Sequence, residues 1–425
     1  MTATRPTRRQ FVTTAAAGAS ASLFPRPLLA QGSQPRIVVV GGGFAGATAA
    51  RFLKRADPRL DVTLVEPNPI FAACPFSNEV IAGLRDMRAQ LFGYDRIAAA
   101  GVAVVHQAAT AVDGRARSVT LGNGTKLGYE RLILAPGSDL RFDALPGYDE
   151  GAAERMPHAW KAGDQTLLLR RQLEAMEDGG TVVMALPALP YRCPPASYER
   201  ASLIAYYLKT RKPRSKLVVL DAKDTFSMQR LFENAWQELY PNLEWVPVSS
   251  GGNPTSVDAA AMTVSSDFDT YKAAVANIIP PQKAGRIAEL AGTADRTGWC
   301  PVDPVTFESH LAPGIHVLGD AAIAGAVPKS AFAANAVAKI CAAAVAKLVF
   351  GERPAPPKFV NTCYSLAAPD YGFSIVGVYH PVNGQWLEVE GAGGVSPADA
   401  PRMFRSQEAK FANGWFNAIT SEIFG

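Results

Sequence analysis

Arg36-Ile37-Val38-Val39-Val40-Gly41-Gly42-Gly43-Phe44-Ala45-Gly46 places a β-branched strand directly before a glycine-rich turn. Ala47 to Lys54 continues as a helix, and Val62-Thr63-Leu64-Val65 is a second strand ending in Glu66. Each glycine has its own task. Gly41 permits the tight turn, Gly43 lets the backbone approach a pyrophosphate, and Gly46 lets the helix lie close to the strand. Phe44 and Ala45 complete the loop beside the cofactor, and the N–H groups at the helix start can receive negative charge. Glu66 stands twenty residues beyond Gly46, where a carboxylate reaches ribose hydroxyls. Strand, helix and acid together read as a dinucleotide site.

Two later stretches choose between cofactors. Arg131-Leu-Ile-Leu-Ala-Pro-Gly137 runs a strand into a turn, and Gly314-Ile-His-Val-Leu-Gly319-Asp320 runs a strand into Gly-Asp ahead of a helix from Ala331. Both resemble signatures of flavoproteins built from two dinucleotide folds, the glutathione-reductase-like α/β architecture. That resemblance implies FAD, with Gly137 and Gly319 at the cofactor and Asp320 on its ribityl side. It implies an FAD-binding domain, 36–146 and 280–352, split by a second Rossmann-like domain, 147–279, and followed by a C-terminal domain, 353–425. The last segment carries Tyr371, Trp386, Trp415 and Phe416, which suit a docking and capping surface or an ordinary core.

The inserted segment repeats the βαβ pattern. Gly180-Thr-Val-Val-Met-Ala-Leu186 reads as a buried strand, Tyr198 to Thr210 as a helix, and Lys216-Leu-Val-Val-Leu-Asp221 as the closing strand. Where a nicotinamide-binding relative has a second glycine loop, this chain has Pro187-Ala-Leu-Pro190-Tyr-Arg-Cys193-Pro194-Pro195. Proline offers no N–H to a phosphate, and its ring blocks close approach. The segment lacks a nicotinamide loop, so some other donor must exchange electrons with the flavin.

The 425 residues are 48% apolar and 19% charged, the composition of a globular chain of two or three domains. Of the 42 basic residues, four arginines fall in 1–30, which holds no acid. The remainder balances 38 basic against 38 acidic residues, so a nucleic-acid partner is unsupported. Thr7-Arg8-Arg9-Gln10-Phe11-Val12, a weakly apolar run to Leu23 and Leu28-Leu29-Ala30 form the layout of a twin-arginine signal peptide over 1–30. The expectation is periplasmic export of a folded, cofactor-loaded chain to a compartment where disulfides persist. Ala331 to Phe350, interrupted by Asn335, Lys339 and Lys347, reads as a buried helix, and no integral membrane span is expected.

The five cysteines include no Cys-x-x-Cys, no haem-attachment Cys-x-x-Cys-His and no zinc spacing, so no metal site is expected. Cys341 reads as helix core, and Cys300 beside Pro301 has no evident partner. Cys193 falls where the missing nicotinamide loop would face the flavin; Cys363 follows the linker Pro354-Ala-Pro-Pro357. A bridge between them would close a loop of about 170 residues, worth up to about 5 kcal/mol as a purely structural element. Position favours a redox role, because a disulfide against a flavin can take two electrons from a nucleophile and pass them on.

Taken end to end, the chain resembles the flavoprotein (FAD-binding) subunit of flavocytochrome c sulfide dehydrogenase. The resemblance runs through Gly41–Gly46, Val65-Glu-Pro-Asn68, Cys74 with Ser77-Asn78-Glu-Val-Ile81, and Pro157–Gly163. It continues through Arg192-Cys-Pro-Pro195, Tyr198-Glu-Arg-Ala201, Gly298–Asp303, Thr306–Ser309 and Asn361-Thr-Cys-Tyr364. It implies a redox disulfide Cys193–Cys363 beside FAD, a covalent link from Cys74 to the flavin 8α-methyl, and Asn78 at the cofactor. Glu199 becomes the proton carrier beside the sulfurs, or else a surface salt-bridge residue. Cys74-Pro75-Phe76 departs from the family pattern, which has an aromatic directly after the cysteine. The resemblance further implies hydrosulfide as substrate and a c-type cytochrome subunit as partner, which carries the haem. Alternatives are the flavoprotein of the thiosulfate-oxidising system, a sulfide:quinone oxidoreductase, and a thiol–disulfide carrier that keeps FAD for structure.

Overall fold

The computed structural model describes residues 34–425, so the export signal read at 1–30 lies outside the described residues. Five parallel strands form the first sheet, in the order Ile315–Val317, Arg131–Leu134, Arg36–Val40, Asp61–Val65 and Ala103–Val105. Ile37 to Val40 are all buried, which is why an unbroken β-branched run encodes this strand instead of an alternating one. Helix Phe44–Ala56 connects it to Asp61–Val65. Two glycines make that corner possible. Gly41 has φ +102°, and a Cβ there would fall 2.3 Å from the Ala135 carbonyl oxygen; on Gly46 it would fall 1.8 Å from the Gly41 oxygen.

Four parallel strands form the second sheet, in the order Leu243–Val246, Lys216–Asp221, Thr181–Leu186 and Val275–Ile278. Helix Pro195–Arg211 starts three residues ahead of the expected Tyr198. Pro195 stands at its first position, where the missing N–H is not needed and the fixed φ already suits a helix. This α/β arrangement of two dinucleotide-type units is the fold expected from the sequence. Strand Ser138–Leu140 pairs antiparallel with Gln282–Ala284, joining the segments on either side of the inserted unit.

The C-terminal segment is an antiparallel sheet of Phe359–Ala368, Tyr371–Val382 and Gln385–Glu388, crossed by helix Arg402–Phe424. Tyr371, Trp386 and Phe416 are buried, so these three aromatics are core; Trp415 is half-buried. The Arg51 guanidinium donates to the carbonyls of Glu422 at 2.8 Å and Ile423 at 3.0 Å, satisfying acceptors that a helix end leaves open. Phe424 stacks between Phe71 and Phe92 at centroid distances of 5.4 and 5.3 Å. The last turn is thereby anchored to the first unit.

Helix Ala331–Leu348 is long and apolar enough to cross a membrane by length and composition. Here it is capped by Ser330, whose Oγ accepts from the Ala333 N–H, and it packs against helix Phe44–Ala56 and strand Phe359–Ala368. Ala333, Ala334, Val337, Ala338 and Cys341 are among its buried residues. Small side chains on both helices let the backbones approach closely.

Candidate active site

A cavity of about 720 Å³ opens at the carboxyl ends of the first sheet's strands, bounded also by helix Pro195–Arg211 and strand Phe359–Ala368. Its position and size are those of a cofactor site in an open α/β sheet. Gly41, Gly43, Phe44, Ala45, Glu66, Cys74, Asn78, Gly137, Gly319 and Asp320 line it, and so do Cys193, Glu199 and Cys363. Gly46 does not; its task is the strand–helix corner.

At the glycine end, the N–H groups of Phe44, Ala45 and Gly46 have no backbone acceptor among the described residues. A Cβ on Gly43 would meet only the Phe71 ring at 3.5 Å, because its outer side faces the cavity. Glu66 Oε2 accepts from the Gly42 N–H at 2.8 Å, and Oε1 accepts from the Asn68 N–H at 2.9 Å and the Asn68 amide at 3.0 Å, leaving accepting capacity on Oε2 for a hydroxyl. Gly42 had no assigned task in the sequence. A Cβ there would fall 2.4 Å from the Tyr94 hydroxyl oxygen and 2.8 Å from Glu66 Cγ, so only glycine lets the acid reach this place.

At the sulfur end, Cys193 stands just before helix Pro195–Arg211 with φ +45°, and its N–H donates to the Lys329 carbonyl at 2.8 Å. The Lys329 ammonium donates to the carbonyls of Asp320 at 2.7 Å and Ala322 at 2.8 Å. One lysine thus ties the cysteine loop to the Gly-Asp turn, and burial pulls its pKa down to about 8. Burial also pushes the Asp320 carboxyl up, against the opposing charges of Arg192 and Lys329. Cys363 lies on strand Phe359–Ala368; the Asn361 amide donates to its sulfur at 3.4 Å, and the Ser330 hydroxyl donates to Asn361 Oδ1 at 2.9 Å. No disulfide joins Cys193 to Cys363 in the structure, which brings both cysteines to the same cavity. Burial pushes both thiols up, and for Cys193 the charges of Cys363 and Glu199 add to the effect.

Glu199 is half-buried and forms no ion pair among the described residues. Its Oε1 accepts from the Asn78 amide at 2.8 Å, and its Oε2 accepts from the Leu366 N–H at 3.0 Å, three residues along the strand from Cys363. Burial pushes its carboxyl up to about 7, with both hydrogen bonds opposing. Such a group can give and take a proton near neutrality. Asn78, expected at the cofactor, lines the cavity. Its amide also donates to the Ala196 carbonyl at 3.0 Å and accepts from Arg200 Nε at 2.9 Å, so it positions Glu199 and Arg200 as well.

Three further residues had no assigned role. Arg200 is 2% exposed and donates to the carbonyls of His158 at 2.9 Å and Ala159 at 2.6 Å. It fixes the 157–163 loop against helix Pro195–Arg211. Trp160, in that loop, lines the cavity and has an indole N–H without an acceptor among the described residues. A buried orphan donor is costly unless a ligand acceptor meets it. Arg192, next to Cys193 in the chain, lines the cavity. Arg192 and Trp160 sit in stretches that lack hydrophobic periodicity, so in the sequence they were visible only as members of the family blocks Arg192–Pro195 and Pro157–Gly163.

The corresponding corner of the second sheet is closed from within. Asp221, at the end of strand Lys216–Asp221, accepts from the Tyr198 hydroxyl at 2.7 Å and the Trp245 indole at 3.0 Å, and pairs with Lys223. Phe226 stacks on Tyr198 at 3.6 Å. The acid that would hold a nicotinamide cofactor's ribose is occupied, in keeping with the proline loop beside it.

The open N–H groups, the Gly43 cradle, the free accepting capacity of Glu66 and the orphan Trp160 donor fit FAD. Residues 166–280 match the family described as the central part of the sulfide dehydrogenase (flavocytochrome c) flavoprotein chain, and 355–424 match the flavin-binding domain of flavocytochrome c sulphide dehydrogenase. Residues 35–174 match pyridine nucleotide-disulphide oxidoreductases. The chain is 60% identical over 45 residues to the sulfide dehydrogenase (flavocytochrome c) flavoprotein chain of Chlorobaculum thiosulfatiphilum, covering 11% of this chain and 94% of that relative. It is 23% identical over 303 residues to the mitochondrial sulfide:quinone oxidoreductase of Mus musculus, covering 67% of this chain and 65% of that relative's length. It shares its fold with the sulfide:quinone oxidoreductase of Aquifex aeolicus, with a TM-score of 0.69 at 18% identity over 91% of this chain and 92% of that one. With the site geometry in view, the chain belongs to the flavocytochrome c sulfide dehydrogenase flavoprotein family and is an FAD-dependent oxidoreductase.

Proposed function

We propose that this chain oxidises hydrosulfide at a redox disulfide formed by Cys193 and Cys363 and passes the electrons through FAD to a c-type cytochrome subunit, in the periplasm after twin-arginine export. One observation carries the reading: two cysteines from distant parts of the chain line the same cavity as Gly43 and Asp320, with Glu199 bonded to the strand of Cys363.

The open N–H groups at Gly43–Gly46 would hold the pyrophosphate of FAD, Glu66 its ribose, Asp320 its ribityl side, and Cys74 its 8α-methyl through a thioether. The chemistry FAD supplies there is acceptance of the two electrons released when the disulfide is restored, and their delivery one at a time. Hydrosulfide attacks one sulfur of the oxidised pair; the Cys193–Cys363 bond breaks, a persulfide forms on one cysteine, and the other leaves as a thiolate. Glu199 supplies that thiolate with a proton, since burial keeps its carboxyl protonated to near neutral pH. A second sulfur nucleophile removes the sulfane sulfur.

Anaerobic titration with sulfide tests the sulfur chemistry. Cys193→Ser should retain FAD and lose sulfide-dependent bleaching of the flavin; undiminished bleaching would overturn the mechanism and favour structural FAD. Met403 and Phe411 are exposed on helix Arg402–Phe424 and favour, as a second reading, a quinone acceptor at a membrane surface. Turnover with cytochrome c and none with a soluble quinone supports the cytochrome; the reverse supports the quinone.

A further inference from the structure

The attachment of Cys74 needs a nucleophile, and a thiol becomes one as it loses its proton, because the thiolate is the reactive form. Cys74 lies between strand Ile70–Ala72 and helix Ser77–Ile81. Its thiol donates to the Trp160 carbonyl oxygen at 3.8 Å, and Arg192 Nη2 donates to that same oxygen. The shared acceptor makes the thiol and the guanidinium neighbours on the cavity wall. Arg192 is steered there from two further directions. Its N–H donates to Gln282 Oε1 at 3.1 Å, and its guanidinium carbon lies 5.8 Å from the centre of the Trp160 ring. It forms no ion pair with a carboxylate among the described residues, so its charge faces the cavity. Burial pulls its pKa down, but the charges of Cys74, Asp320 and Cys193 outweigh this and hold it above the usual range.

We infer that Arg192 is the activating residue for flavin attachment: it meets Cys74 at the Trp160 carbonyl, where its guanidinium stabilises the negative charge the sulfur gains as its proton leaves during attack on the 8α-methyl. The inference rests on the covalent Cys74 link proposed above. In the reaction the thiol S–H and one methyl C–H break and one S–C bond forms. The two electrons and two protons released go to the flavin ring, and dioxygen reoxidises the ring. The residue before the redox cysteine thus serves the other end of the flavin, so one loop supports both sulfur sites.

The test follows attachment in the full-length chain. Flavin-free wild type, R192K and R192M are mixed with FAD in air, and the fraction of flavin that stays with acid-precipitated protein is measured against time. Wild type should become fully labelled. R192M should bind FAD reversibly and attach it at least about tenfold more slowly, the loss expected when a cation beside a thiolate is removed. R192K, which keeps the charge without the planar fork, should fall between, and methylguanidine should speed attachment in R192A. A second readout needs no flavin: alkylation of the Cys74 peptide by iodoacetamide at neutral pH, followed by mass, should slow in R192M and recover in R192K. Attachment and alkylation in R192M at wild-type rates would overturn the role of Arg192. Wild type that releases all its flavin on precipitation, or C74S that keeps it, would overturn the covalent link itself.

Discussion

At Val40 the first sheet passes into its helix through Gly41–Gly43, and Glu66 on the next strand keeps accepting capacity toward the cavity. At Leu186 the second sheet passes into its helix through Pro187–Pro195, and Asp221 on the next strand is held by Tyr198, Trp245 and Lys223. The two corners share a template and differ in their supply of N–H donors. Glycines leave the start of helix Phe44–Ala56 with donors facing outward. In the second corner Pro194 and Pro195 have none, and Ala196 and Ser197 donate to the carbonyls of Cys193 and Pro194. A corner without free donors cannot hold a diphosphate. It carries instead a cysteine at the helix entry and Glu199 on the helix, both turned toward the first corner's cavity.

The sharpest way to break this comparison is Gly46→Ala. Its Cβ would fall within 1.8 Å of the Gly41 oxygen, so the first corner cannot close, and the chain should be recovered without flavin. A full flavin-to-protein ratio in that variant would show that the corner is not what holds the cofactor.

Next in size is Lys223→Met in the second corner. It leaves the fully buried Asp221 without its cation and should cost about 3–5 kcal/mol, seen as a lowered Tm with an unchanged flavin spectrum. Asp221→Asn combined with Lys223→Met should recover part of the loss. Equal Tm values for wild type and Lys223→Met would mean the internal plug contributes nothing.

Glu199→Gln acts on the link between the corners. A carboxyl raised from 4.5 to about 7 binds its proton more tightly in the folded chain than in the unfolded one. Its stabilising contribution is therefore complete below its ordinary value and is lost as pH rises through about 7. Wild type should lose stability relative to Glu199→Gln over that window, and the pH dependence of sulfide-driven flavin bleaching should lose one inflection in the variant. Hydrosulfide titrates in the same range, so the difference between the two proteins is the diagnostic quantity. Parallel stability profiles would remove Glu199 as a titrating group.

The smallest effect is expected from Pro187→Gly, which restores one N–H to the second loop while Asp221 stays occupied. NADH should still fail to reduce the flavin, and reduction by NADH would show that proline alone had closed the site.

Much of the first corner was legible in the chain itself. Local steric rules dictate Gly41 and Gly46, and the strand–helix–acid spacing follows from the rise of each element, so eleven residues and Glu66 suffice. The structure added Gly42, whose need for a bare Cα depends on Tyr94 and so has no local trace. Asn78 was visible only as part of a family block. Its commitment to Glu199, Arg200 and the Ala196 carbonyl required helices that meet only on folding.

The sequence by itself determined the two βαβ units, the glycine corner and the absence of phosphate donors in the proline loop, because these depend on backbone conformation within a few residues. Only the tertiary structure decided that Cys193 and Cys363 share a cavity, that burial moves Glu199 toward neutrality, that Asp221 is plugged, and that Arg192 and Cys74 meet at one carbonyl. Charge and desolvation act through space, and the groups that set them lie far apart along the chain.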